Sequence, residues 1–181
     1  GGMLAINYEE FINRAEIIWE KGTNRSSFFR GEVDKYGWVD IGSSFLPSEI
    51  IAAFLWAQLE NLEKIQSVRK LHWKNYYSKV KNWAEINDIK LPIIPDYATN
   101  NGHMFYLVCN CLDQRTKIIE KLKTDGIMAV FHYISLHRSP YFLKNSEDKI
   151  LPETEKYTNC LVRLPLFFEL ETELVIKSLL N

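Results

Sequence analysis

Residues 22–59 decide the fold of this chain: GTNRSSFFRGEVDKYGWVDIGSSFLPSEIIAAFLWAQL. The first half of this stretch mixes cations and aromatic side chains without an apolar period, which predicts a polar loop. The second half repeats apolar residues at helical spacing from Pro47, and proline is favoured in the first turn of a helix. The stretch therefore predicts a loop that leads directly into a long helix.

Two serines, Ser43 and Ser44, follow Gly42 shortly before the predicted helix. Unpaired N–H groups and the helix dipole at a helix start attract anions such as phosphate. Serines in this position also act as N-caps, which satisfy the same N–H groups without any ligand. The spacing alone is compatible with both interpretations.

Two helices are predicted in the first half of the chain. A strand stub over Gly1–Ile6 precedes an amphipathic helix over Tyr8–Lys21, which Gly22 ends. The helix from Pro47 keeps its apolar period to near Ala84, allowing for a bend on the way. At about 1.5 Å per residue, such a helix spans tens of ångströms and is long enough to bridge domains.

The second half of the chain predicts a small domain. Two β-rich segments, His103–Cys109 and Ile127–Tyr133, flank a helix over Gln114–Lys123. Around them we expect a helix cap at Asp113, a polar loop at Ser139–Pro152, a short helix at Glu153–Leu161, an extended link at Arg163–Phe168 and a final helix from about Glu171. The predicted class is α/β with an α+β small domain, in which a long bridging helix accompanies a small sheet covered by helices on one face. The predicted segments are residues 1–46, 47–90 and 91–181.

Composition excludes several classes of protein. The 181 residues are 46% hydrophobic and 25% charged, which is ordinary for a soluble globular protein with a real core. A net charge of -1 provides no long-range field for nucleic acid or for an anionic membrane, so neither partner is expected. No apolar run approaches the roughly 20 residues of a spanning helix. The three cysteines are an odd number, so we expect reduced thiols, with Cys109 and Cys111 in the core of a cytoplasmic protein.

No self-sufficient catalytic machinery is evident. His132 and His137 are five residues apart, which is a poor spacing for two metal ligands on one element, and no Cys or acidic partner lies among the histidines. We therefore expect no metal site. A nucleophile elbow of the G-x-S-x-G type and a glycine-rich phosphate loop are also missing from the sequence.

Four segments carry a resemblance to a known family. They are Lys21–Glu60, Asn101–Tyr106, Ile127–His137 and Arg163–Phe167. In order and separation they resemble the latter half of the DegT/StrS-type nucleotide-sugar aminotransferases, which depend on pyridoxal phosphate. The branch that makes dTDP-4-amino-4,6-dideoxygalactose is the most similar. The likeness covers nearly all of this chain but only half of the family's chain.

The resemblance implies the C-terminal domain of a fold-type I aminotransferase. Residues 1–46 would then finish the large cofactor domain and carry the active-site loop, and residues 91–181 would form the small C-terminal domain. The segment Gly1–Asn7 resembles the end of the family's Gly-Glu-Gly-Gly segment, which follows the lysine that forms the Schiff base with the cofactor. That lysine and the aspartate that pairs with the pyridine nitrogen would lie upstream. No catalytic residue is therefore expected in this chain, which is predicted to be silent alone.

The resemblance also implies a cofactor contact in a homodimer. The loop from Gly42 to Leu46 would be lent to the neighbouring subunit, where Ser43 and Ser44 would contact the phosphate of pyridoxal 5′-phosphate. Many relatives have asparagine where this chain has Ser44, and arginine where it has Leu46. Serine can still donate a hydrogen bond to phosphate, whereas leucine cannot. The contact at position 46 is therefore not expected.

Substrate contacts are implied in both halves of the chain. Arg30 and Lys35 are candidates for the nucleotide diphosphate, because guanidinium and ammonium groups suit phosphate. His132, Tyr133 and His137 would line the substrate side of the small domain, and His103 and Phe105 would lie near the cleft. The reaction implied is conversion of dTDP-4-keto-6-deoxyglucose to dTDP-4-amino-4,6-dideoxygalactose with glutamate as amino donor. Alternatively, Arg30 and Lys35 are solvated surface cations, and His103 and His132 are strand-end residues without ligand contact.

Three origins are compatible with such a half-length chain. It is a fragment of a full transaminase, one piece of a split gene, or a retired copy kept for binding, and we expect the first. The partner would be a second copy or the missing N-terminal half. A hypothesis of another class is a non-catalytic module that dimerises through the long helix and binds a nucleotide sugar.

Overall fold

The fold is described by a computed structural model, which covers residue 2 and residues 4–181. The chain divides into two compact units, Gly1–Leu62 and Glu63–Asn181. The predicted strand stub over Gly1–Ile6 lies partly outside the described residues, at Gly1 and Met3. Its described residues form no strand.

The first unit consists of short helices and connecting loops. Its elements are a 3₁₀ turn at Glu9–Phe11 and the helices α1 (Ile12–Trp19), α2 (Arg25–Phe29) and α3 (Glu49–Glu60). The interpretation of residues 22–46 as an entirely irregular loop was wrong, because α2 forms within it. At Gly22 and Gly42 two backbone segments of this unit pack directly against each other. A Cβ at Gly22 would lie 1.8 Å from the carbonyl oxygen of Asp40, and one at Gly42 would lie 2.1 Å from the nitrogen of Gly22. Only glycine permits these backbones to approach so closely.

The long helix begins later than predicted and is broken once. Helix α3 starts at Glu49 rather than at Pro47, and the Ser48 hydroxyl caps it by accepting a hydrogen bond from the Ile51 nitrogen at 3.4 Å. Asn61 ends α3 with φ −103° and ψ 11°, and α4 (Leu62–Ile86) follows at once. The bend that was expected within the helix is therefore confirmed as a break at Asn61.

The second unit is built on a three-stranded antiparallel sheet. Its strands are β1 (Phe105–Val108), β2 (Val130–Phe131) and β3 (Leu161–Leu164), in the order β1-β3-β2. Its helices after α4 are α5 (Leu112–Thr124), α6 (Pro140–Asn145), α7 (Pro152–Cys160) and α8 (Thr172–Leu180). The small sheet with helices confirms the predicted α+β class. The central strand β3 was wrongly predicted as an extended link, and α6 was missed within a predicted loop.

The core of the second unit lies between the sheet and its helices. Apolar side chains from α4, β1, α5, β3 and α8 form one cluster, which includes Tyr76, Val80, Phe105, Leu107, Leu122, Val162 and Ile176. Because Arg163 pairs with Tyr106 on one side and with Val130 on the other, these three side chains share the opposite face of the sheet. That face carries the cleft described below.

Two local predictions in this unit were wrong. Asp113 does not cap α5: Cys111 occupies the N-cap position, and the carboxylate of Asp113 forms an ion pair with Lys117 at 2.7 Å. Cys111 is exposed rather than buried, whereas Cys109 is in the core, where burial raises the pKa of its thiol to about 12.

Across residue 2 and residues 4–181, no helix is both long and apolar enough to cross a membrane.

Candidate functional site

The predicted cofactor contacts lie on a loop fixed to the end of α1. The Ser43 nitrogen donates to the Ile18 carbonyl at 2.9 Å, and the Lys21 nitrogen donates to the Ser43 carbonyl at 3.1 Å. The next bond along runs from the Phe45 nitrogen to the Trp19 carbonyl at 3.3 Å. Ser43 and Ser44 are exposed, and within the described part of the chain their hydroxyls bond to no other group. The loop is thus a fixed backbone that presents two adjacent hydroxyl donors.

Ser43 and Ser44 lie too far from the start of α3 to act on that helix, which affects both interpretations of them. Ser48, not Ser43 or Ser44, caps α3, so the N-cap interpretation of the two serines was wrong. The anion interpretation also loses the support of the helix dipole, because α3 begins only at Glu49. Two free hydroxyls on a fixed loop nevertheless suit a phosphate group, since each can donate one hydrogen bond to a phosphate oxygen. The residues present therefore fit the predicted cofactor contact.

Arg30 is held by carboxylates in the first unit. Its Nη1 and Nη2 atoms donate to the two oxygens of Glu16 at 3.0 and 2.9 Å, and its Nε donates to Glu32 at 2.7 Å. These bonds raise the pKa of the Arg30 guanidinium, and the same guanidinium lowers the pKa of Glu32. Lys35 is exposed, and no ion pair joins it to another described residue. A diphosphate would have to displace carboxylates from Arg30, whereas Lys35 is accessible to it directly.

An open cleft of about 220 Å³ lies against the sheet in the second unit. It is lined by His103, Met104, Met128, Val130, Arg163, Leu164, Pro165 and Leu166. The guanidinium of Arg163 lies 5.5 Å from the centre of the Tyr133 ring, which in turn lies 5.1 Å from the His132 ring. Arg163 therefore shares the cleft with His103 and packs against Tyr133, whereas His132 contacts Tyr133 and does not line the cleft.

Arg163 itself was not predicted as a site residue. The sequence feature that could have identified it is a single cation within the apolar run Leu161–Leu164. That run was not recognised as a strand, so its alternation could not place the cation on one face.

Phe105 belongs to the core rather than to the cleft. Its ring is completely buried and lies 5.4 Å from the ring of Trp73 and 5.1 Å from that of Tyr76. The indole of Trp73 donates to the Met104 carbonyl at 3.1 Å, and the hydroxyl of Tyr76 donates to the Pro165 carbonyl at 3.0 Å. The side chain of Phe105 offers no surface to a ligand, which contradicts the predicted substrate contact. It instead supports the strand next to His103.

His137 belongs to a separate polar network. It is 6% exposed, and its Nε2 lies 3.4 Å from Oε1 of Glu155. Arg138 donates through Nε to the same Glu155 oxygen at 3.0 Å and through Nη1 to Asp148 at 2.6 Å. The Arg138 hydrogen bond, assisted by His137, lowers the pKa of the Glu155 carboxyl. The structure therefore gives His137 an anchoring role between the turn Leu136–Arg138 and α7.

Comparison with known proteins identifies the family. Residues 1–179 match the sequence profile of the DegT/DnrJ/EryC1/StrS aminotransferases. The chain belongs to this family. The DegT/DnrJ/EryC1/StrS match covers both units. The loop Gly42–Leu46, called the serine loop below, and the cleft around Arg163 therefore both lie within the matched residues.

Individual relatives match about half of their own length. The uncharacterized protein MJ1066 of Methanocaldococcus jannaschii is 25% identical over 185 residues, which are 97% of this chain and 47% of the relative. PseC of Helicobacter pylori, an aminotransferase involved in the biosynthesis of pseudoaminic acid, has a TM-score of 0.79 at 19% identity, over 96% of this chain and 46% of PseC. Spr1654 of Streptococcus pneumoniae in its PMP form has a TM-score of 0.77 at 20% identity, over 96% of this chain and 43% of its own. These structures share the fold of this chain.

Proposed function

We propose that this chain is the C-terminal portion of a pyridoxal-phosphate-dependent sugar aminotransferase. The proposed reaction converts dTDP-4-keto-6-deoxyglucose to dTDP-4-amino-4,6-dideoxygalactose with glutamate as amino donor. The observation that carries the proposal is the pair of free hydroxyls of Ser43 and Ser44 on a fixed loop, in a chain whose residues 1–179 match an aminotransferase family. The choice of sugar and product rests on the resemblance of the sequence segments quoted above.

Ser43 and Ser44 would hold the phosphate of the cofactor. When bound, the cofactor supplies the electrophilic carbonyl that carries the amino group between substrates. The hydroxyls of the two serines donate hydrogen bonds to phosphate oxygens, while the three backbone bonds of the loop keep these donors in position. Because the backbone is already held, less conformational entropy is lost when the hydroxyls bind a group.

The cleft of the second unit would bind substrate. His103 is exposed at its edge, and Tyr133 is 73% exposed beside Arg163. We assign to these side chains, with His132, the positioning of the nucleotide sugar. Lys35 is the accessible cation for a diphosphate in the first unit, and Arg30 joins it only if Glu16 and Glu32 release the guanidinium.

The proposed partner is a second copy of the chain or the N-terminal half of the enzyme. Support comes from α3, none of whose residues is buried. Ile50, Phe54 and Trp56 on this helix are 83%, 72% and 65% exposed. Ile50 and Phe54 are four residues apart on one face of α3, and neighbouring exposed apolar side chains of this size mark an interaction surface. The catalytic lysine would come from the N-terminal half, so this chain is expected to be inactive alone or as a dimer of itself.

Amino transfer in a reconstituted mixture tests the proposal. The 181-residue chain is mixed with a separately produced N-terminal half of a family member, pyridoxal phosphate, glutamate and dTDP-4-keto-6-deoxyglucose. Mass spectrometry of the sugar should show the amino product only when both halves are present. Binding of the sugar nucleotide without turnover in every mixture would instead favour the non-catalytic binding module.

A further inference from the structure

Arg163 is a cation without a counter-charge. It is half-buried, and no hydrogen bond or ion pair joins its guanidinium to any residue in the described part of the chain. Its Nε is buried without a partner. Arg30 and Arg138, by contrast, are each paired with two carboxylates. A charged group that is partly removed from water without a partner is costly, and at Arg163 the adjoining cleft gives an anion room to supply that partner.

The surroundings of Arg163 restrict its guanidinium. The residue lies on the central strand β3, between Tyr106 of β1 and Val130 of β2. Its guanidinium packs against the Tyr133 ring at 5.5 Å. Stacking on an aromatic face and anchorage in the middle of a sheet limit the conformations that a flexible arginine would otherwise sample. The cation is therefore held in place at the cleft before any ligand arrives.

The cleft around Arg163 suits an oxyanion. Apart from Arg163 and His103, its lining is apolar, with Met104, Met128 and Leu166 among the walls. Apolar walls offer an anion no hydrogen-bond partner, so its bonds within the cleft would be made to Arg163 and His103. A guanidinium offers only donors, in a planar arrangement that matches the oxygens of phosphate and carboxylate groups. A guanidinium at this position does not suit a cationic ligand.

We propose that Arg163 binds an oxyanion of the substrate in this cleft, with His103 as a second donor. Phosphate of the nucleotide sugar and carboxylate of the amino donor share this chemistry. The identity of these substrates rests on the proposed function, whereas the anion site rests on the geometry of the cleft. Arg163 is thus a binding residue that shares the cleft with His103 and is held there by Tyr133.

Arg115 provides a matched control. Its guanidinium lies 5.5 Å from the Phe131 ring, and its Nε is also buried without a partner. It is half-buried on α5 and does not line the cleft. Arg115→Gln therefore removes an arginine of the same kind from the same unit but leaves the proposed anion site intact.

An NMR titration of the 181-residue chain tests the inference. Side-chain Nε–H signals of the arginines are followed during addition of inorganic pyrophosphate in one arm and glutamate in another, with sodium chloride at equal ionic strength as reference. Shifts of the Arg163 signal with pyrophosphate identify phosphate as the ligand group, and shifts with glutamate identify carboxylate. Arg163→Gln should weaken binding at least about tenfold, because a hydrogen bond to a charged group is lost. Arg115→Gln should leave it unchanged.

Two further measurements make the result decisive. Arg163→Lys keeps the charge but loses the planar fork, so it should bind more weakly than wild type and more tightly than Arg163→Gln. The backbone amide spectrum shows whether each variant remains folded. The inference is overturned if neither ligand shifts the Arg163 signal, or if folded Arg163→Gln binds as tightly as wild type. Either result leaves amino transfer in the reconstituted mixture as an independent test of the proposed function.

Discussion

Replacing Gly42 by alanine should detach the serine loop from α1. The added Cβ would lie 2.1 Å from the Gly22 nitrogen and 2.7 Å from the Gly22 Cα, and neither atom belongs to a flexible side chain. The loop must move away, which breaks the backbone bonds that Ser43 and Phe45 make to the end of α1. Each such bond contributes about 0.5–1.5 kcal/mol, so losing all three costs roughly 1.5–4.5 kcal/mol.

Hydrogen exchange measures this loss directly. The amides of Lys21 and Ser43 are hydrogen-bonded in the wild type, and their protection should fall roughly tenfold to a thousandfold in Gly42→Ala. Gly37→Ala is the matched control, because a Cβ at Gly37 meets no atom within 4 Å. Unchanged protection in Gly42→Ala, or equal loss in Gly37→Ala, would refute the close packing of Gly22 and Gly42 as the feature that fixes the loop.

Three further experiments test other parts of the structure. Phe105→Ala should lower the free energy of unfolding by about 3–5 kcal/mol in urea denaturation, because it empties a fully buried site; a loss below about 1 kcal/mol would contradict its place in the core. Glu155→Gln should reduce the loss of stability in acid: the folded-state pKa of Glu155 is lowered, so its contribution is present above the unfolded pKa and disappears as pH falls through the folded pKa. An acid unfolding curve identical to that of the wild type would count against this role. Ser48→Ala should destabilise α3 by about 1 kcal/mol without weakening cofactor retention in a reconstituted complex, whereas Ser43→Ala with Ser44→Ala should weaken retention and leave helix content unchanged.

Elements with a strong local period could be predicted from the sequence. Helix α5, strand β1 and the end of α4 were expected close to their observed positions, because apolar spacing and turn residues encode them locally. Strand β3 could not be recognised in the same way. It has four residues, begins directly after α7 and becomes a central strand only through pairing with distant β1 and β2. Such pairing is a tertiary effect that no local pattern shows.

In the candidate site, too, some residues could be identified from local sequence and others only from strand pairing. Ser43 and Ser44 were identified from the residues next to them in sequence. However, Ser48 is the N-cap of α3, because this helix starts two residues later than predicted. Phe105 and Arg163 depend on which face of the sheet each side chain occupies, and that required the register of β3. Once the register is known, Phe105 lies in the core and Arg163 lies at the cleft.

Absorbance of pyridoxal phosphate tests the central claim most directly. The claim is that this chain completes a cofactor pocket whose reactive lysine lies on another segment. The chain alone should leave the spectrum of free pyridoxal phosphate unchanged. Addition of the N-terminal half of a family member should produce the Schiff-base band, and Ser43→Ala with Ser44→Ala should weaken it. A Schiff-base band of equal intensity with the chain alone would contradict the claim.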